Sequence, residues 1–128
     1  MAPIVIGWLR GGSRLDPSTR REKNAVDTVK TFEGFSDFYP YYLEEHRDST
    51  CRRLHFMGTT LVLLILATAL LSASWWLLWV LPLAGYTFAW VGHFFFEKNR
   101  PATFKHPFYS LLGDFVMYKD MLIGKVPF

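Results

Sequence analysis

Residues 54–96 form a run of 43 without a single Asp, Glu, Lys or Arg, and the run carries His55 and His93 near its two ends. About 20 apolar residues cross the hydrocarbon layer of a bilayer, so this stretch is long enough for two passes and too long for one. The natural fold point is Ser72-Ala73-Ser74. Measured from Ala73, His55 lies 18 residues back and His93 lies 20 residues on, so an antiparallel hairpin returns both imidazoles to the same depth. His46 and His106 sit just outside the same ends, which places all four histidines of the chain at one membrane face.

The 128 residues allow one domain, and a content of 51% hydrophobic and 18% aromatic residues concentrated in one block indicates a membrane protein. Nine of the 14 Lys and Arg residues precede the hairpin and five follow it, with none in its turn. By the positive-inside tendency, both flanks and the histidines are cytoplasmic and the turn faces the opposite compartment. Trp75, Trp76 and Trp79 fit an aromatic belt at that turn. The apolar segment from Pro3 to Leu9 is too short for a signal-peptide core, so the hairpin is expected to direct its own insertion, into a bacterial inner membrane or the endoplasmic reticulum. Because the basic residues flank the membrane segment, they suit anionic lipid headgroups and argue against nucleic acid. The single Cys51 excludes an internal disulfide and a Cys-rich metal site.

The expected fold class is an all-α integral membrane protein, a two-span transmembrane hairpin flanked by amphipathic helices. Residues 1–27 mix Arg, Gly, Ser, Pro and Asp without periodicity and read as a flexible tail. Residues 28–128 form the single helical domain, with spans at about 54–71 and 76–96. From Phe32, the residues Phe35, Phe38, Tyr39, Tyr42, Leu43 and His46 recur at three- and four-residue spacing, giving an amphipathic helix with His46 on its inward stripe. Pro40 is expected to kink that helix or begin its second half, and a polar link over residues 47–53 leads into the first span. Pro82 predicts a kink in the second span. Pro107 can open a last helix whose apolar face carries Phe108, Leu111, Phe115 and Leu122.

Histidines converging at one face suggest a metal site, because neutral imidazole ligates iron, zinc or copper and several histidines with one carboxylate suit non-haem Fe(II) oxygen chemistry. Glu97, four residues after His93, shares its face on an α-helix and is either a ligand or the acceptor that fixes the imidazole tautomer. Arg100 lies next to that helix, and its guanidinium can hold a carboxylate bidentately. Three other readings use the same residues: a non-enzymatic scaffold or lipid-binding hairpin with helix-capping histidines, a haem protein with two axial histidines, and a zinc-dependent membrane hydrolase with Glu97 as base.

The run from Phe38 to His46 (Phe-Tyr-Pro-Tyr-Tyr-Leu-Glu-Glu-His), the eight residues between His46 and His55, and the block from Gly92 to Ala102 (Gly-His-Phe-Phe-Phe-Glu-Lys-Asn-Arg-Pro-Ala) together resemble the membrane-embedded 2-hydroxy fatty acid dioxygenase family. Its characterised fungal branch acts in phytosphingosine breakdown. The resemblance covers the chain from about Phe32 onward. It implies Fe(II)-dependent α-oxidation, in which a long-chain 2-hydroxy fatty acid and O2 give the acid one carbon shorter. It further implies His46, His55 and His93 as the first ligands, Glu97 next and His106 last, since histidine at position 106 is not a fixed feature of the pattern. The characterised branch is drawn with more spans than one hairpin, which leaves homo-oligomerisation open.

Overall fold

The computed structural model describes residues 31–128, so the tail expected over residues 1–27 lies outside the described residues. Helix α1 runs Phe35–Glu44, with Pro40 inside it, and buries Phe38 and Tyr42. Helix α2 runs Ser49–Ser72. It starts earlier than the charge pattern implies because Asp48 caps it: the carboxylate accepts the Cys51 N–H at 2.9 Å, satisfying one of the donors that the first turn leaves orphaned. The expected polar link therefore shrinks to a few residues, and Arg52 and Arg53 lie in the first turns of the span.

At the other end of α2, Ala73 takes the left-handed conformation (φ 50°) and its N–H closes on the Ala69 carbonyl. This cap reverses the chain where the fold point was expected. The return pass starts as a 3₁₀ helix, Trp75–Trp79, continues as α3, Val80–Val91, and ends in a π-helical turn, Gly92–Glu97. Pro82, expected to kink this span, falls in the first turn of α3. A missing N–H costs little there, because that N–H would have no α-helical partner. A short 3₁₀ turn, Ala102–Phe104, leads to α4, Pro107–Leu122, with Pro107 opening the helix.

Among the described residues the chain is all-helical. The first and second passes are 24 and 23 residues long and apolar enough to cross a membrane. Their large side chains mostly face outward: Leu71 is 90% exposed and Trp79 86%. The packed core lies instead where α1 meets α4, around Phe38, Tyr42, Met117 and Met121. Two tyrosines tie these helices together: Tyr39 O–H donates to Asp120 at 2.8 Å and Tyr42 O–H donates to Asp114. Gly113 makes the approach possible, since a Cβ there would stand 2.8 Å from the Tyr42 ring.

Candidate metal centre

His46, His55 and His93 arrive from three different elements, and each is oriented through its Nδ1. His46 follows α1, and its Nδ1–H donates to the Tyr42 carbonyl at 2.6 Å while the Tyr42 ring stacks on the imidazole at 4.1 Å. In the second turn of α2, His55 donates from Nδ1 to the Cys51 carbonyl at 2.9 Å. His93 sits in the π-helical turn, a widened turn of a kind often found at functional sites. Its Nδ1 lies 2.8 Å from Oδ1 of Asn99. The amide nitrogen of Asn99 is engaged with the carbonyl and carboxylate of Glu45 at 3.1 and 2.9 Å, so Oδ1 is the acceptor and His93 the donor. Lys98, left-handed at φ 57°, turns the chain so that Asn99 returns beneath His93, and the Asn99 N–H bonds the His93 carbonyl at 3.1 Å.

With each Nδ1 carrying its proton, each Nε2 keeps a lone pair, and the three rings converge. Their centroids are 4.4, 4.5 and 4.9 Å apart, and Nε2 of His46 lies 3.2 Å from Nε2 of His55. Two lone pairs facing one another at that separation repel unless an electrophile lies between them. Together with Cys51 Sγ, the ligand atoms lie within 4.8 Å of one another, and all four residues are buried. Metal-bound histidines characteristically donate their second N–H to a carbonyl or other acceptor, which fixes tautomer and ring direction. The donor set therefore fits a divalent transition metal. Burial also pushes the His46 imidazole well below its ordinary pKa, with the neighbouring histidines adding to the effect, so it is neutral and ready to ligate near pH 7.

The backbones must come close for this convergence. A Cβ on Gly92 would stand 2.9 Å from Cys51 Sγ and 3.3 Å from the Cys51 Cα, so glycine allows the end of the second pass to lie directly against the start of α2. The same contact is fastened by Glu97, whose carboxylate accepts the Asp48 N–H.

Beside the imidazoles opens a cavity of about 320 Å³, lined by the three histidines, Tyr42 and Asp114 at one end and by Leu78, Leu81 and other apolar residues of the second pass beyond. The Asp114 carboxylate lies 4.0 Å from Nε2 of His55. Burial raises its pKa to about 7, against the lowering effect of the Tyr42 hydrogen bond, and burial likewise drives the Tyr42 phenol upward.

Of the residues singled out from the sequence, His46, His55 and His93 are brought together. Glu97 and His106 are outside the group of converging ligand atoms. The Glu97 carboxylate is turned to the Asp48 N–H, and the His93 partner is Asn99. His106 precedes α4, and its ring packs edge-on against Phe32 and Phe38 at 5.0 and 5.5 Å. Arg100 is exposed and does not line the cavity. Arg52 is buried, with its guanidinium hydrogens donated to the carbonyls of His46, Arg47 and Pro127.

Sequence reasoning missed Cys51, Tyr42, Asn99 and Asp114. Cys51 and Tyr42 each stand four residues before a cluster histidine, a spacing that puts them on its helical face; Asn99 and Asp114 carry no such local signal. No curated protein and no solved structure matches the chain. The family model for the 2-hydroxy-palmitic acid dioxygenase Mpo1-like proteins does match it, over residues 32–126, and the chain belongs to that Mpo1-like family.

Proposed function

We propose that this protein is an Fe(II)-dependent membrane dioxygenase that shortens long-chain 2-hydroxy fatty acids by one carbon, with His46, His55 and His93 holding the metal. The observation that carries this reading is the convergence of three buried imidazoles at one end of a cavity whose far lining is apolar. Bound there, ferrous iron would supply O2 activation and chelation of the substrate's carboxylate and 2-hydroxyl. The chain's own residues bind and orient. The Asp114 carboxylate accepts the hydrogen of the 2-hydroxyl, Tyr42 holds that carboxylate in place, and Asn99 and the Tyr42 and Cys51 carbonyls hold the imidazoles in register. Glu97 acts through the backbone, clamping the start of α2 to the end of the second pass. Arg100, at the exposed rim, draws the anionic headgroup toward the site by charge and does not hold it there.

In this reading the two passes cross the bilayer, the Trp75–Trp79 turn faces away from the cytoplasm, and the histidines lie at the cytoplasmic interface, where a fatty acid places its head. Impermeant thiol labelling of Ser74→Cys in intact cells tests the topology; a Ser74→Cys thiol that labels only after the membrane is permeabilised would invert it. For the reaction, anaerobically purified, Fe(II)-loaded protein is given 2-hydroxypalmitate and palmitate under air and under argon. Only the hydroxylated acid under air should yield the shortened acid. Cys51 Sγ within the cluster favours one second reading, a zinc site. Zinc in the freshly purified protein, with no shortened product after iron loading, would select it.

A further inference from the structure

Gly85 of α3 and Leu111 of α4 both line the cavity, together with Val62 and Ala89. Each lines both the 320 Å³ cavity and a second one of about 60 Å³ that shares its walls with the first. Gly85 stands eight residues before His93, about 12 Å down the helix from the imidazoles. Past it the lining is apolar, with Leu81, Pro82 and Leu78. The opening at Gly85 is not there to let helices touch, because a Cβ built on it meets only Val62 Cγ2, at an ordinary 3.5 Å. Its missing side chain leaves space inside the cavity. Leu111 is 57% exposed, so its side chain is open on its outer side.

We infer that the gap between Gly85 and Leu111 is a gate for the acyl chain: the tail of the bound acid leaves the metal end, passes between these two residues and continues along the second pass toward Leu78. The inference rests on the proposed reaction for the identity of the headgroup. It adds the path of the chain and the residues that decide which chain lengths are accepted. An acid shorter than the 12 Å distance ends before the gate and is indifferent to it. A longer acid must thread it, and each buried methylene adds apolar surface to the bound state.

The test compares the wild type with Gly85→Ala, Gly85→Leu and Leu111→Trp, using 2-hydroxyoctanoate and 2-hydroxypalmitate. Three quantities are read: bound metal by elemental analysis, equilibrium binding of each acid by displacement of a fluorescent fatty acid, and shortened product. Gly85→Ala, which narrows the gap by one methyl group, should fall between the wild type and Gly85→Leu in its affinity for the palmitate. Gly85→Leu, which fills the gap from α3, should keep its metal and its affinity for the octanoate and lose at least about tenfold in affinity for the palmitate. Leu111→Trp, which closes the gap from the side of α4, should do the same, so the inference survives if either variant alone folds poorly. If metal-loaded variants bind both acids as the wild type does, or lose both equally, the gate is wrong. If the wild type binds 2-hydroxypalmitate in a gate-dependent way and yields no shortened acid, the reaction fails and the gate stands.

Discussion

The two ends of the hairpin differ in what they bury. At the turn, Leu71, Trp75, Trp76 and Trp79 stand outside, with 59–90% of their surface exposed and little beneath them. At the histidine end, the buried side chains include His46, Arg52, His55, His93 and Asp120. A water-soluble protein would bury the first set and expose the second. The contrast teaches that the turn has little protein beneath its apolar side chains, whereas the histidine end is built to hold polar groups inside. Lipid can cover the tryptophans, while the buried polar groups are stabilised by backbone carbonyls, by neighbouring side chains and by whatever the imidazoles hold.

The largest expected effect breaks one end and leaves the other intact. His46→Ala, His55→Ala or His93→Ala should each empty the metal site and abolish product formation, whereas Trp79→Ala at the turn should retain full metal occupancy. Elemental analysis of the four proteins side by side checks this, and metal loss in Trp79→Ala would mean that the ends are not independent.

Next in size is the close approach at Gly92. A valine there forces its side chain into Cys51 and should destabilise the fold by about 1–3 kcal/mol, seen as a lower Tm together with weakened metal retention. Asn99→Ala should be milder for the fold and more specific for the site: the Nδ1 proton of His93 loses its acceptor, and metal affinity should fall about 10–100-fold with Tm nearly unchanged. Competition with a calibrated chelator measures it. Metal affinity unchanged in Asn99→Ala would show that the π-turn alone orients His93.

The smallest effects belong to the exposed rim. Arg100→Ala should reduce product formation only a few-fold, chiefly at low substrate and low salt, because a surface charge steers more than it binds. His106→Ala should leave bound metal unchanged. A metal site emptied by His106→Ala would move that residue from the aromatic core to the centre and overturn the ligand assignment.

Some of this arrangement was legible along the chain. The uncharged run fixes two helical passes, Ser72-Ala73-Ser74 marks the reversal, and equal distances from it bring His55 and His93 to one end; these are properties of one-dimensional spacing. His46 follows from the inward stripe of α1. What spacing could not reach were contacts made by backbone irregularities. Glu97 turns its carboxylate away from His93, and the left-handed Lys98 delivers Asn99 in its place. The Asp48 cap takes Glu97 for its N–H and moves the start of α2 back to Ser49. Asp114 is 59 residues from His55 and joins it only because α4 folds across α1 over Gly113.

Local sequence determines where helices start, how long they are and which face is apolar, since those depend on neighbours within a turn or two. Which acceptor each imidazole finds, which carboxylate faces the cavity and how wide the gap at Gly85 stays are decided by packing between elements far apart in the chain, where a displacement of an ångström makes or breaks a hydrogen bond.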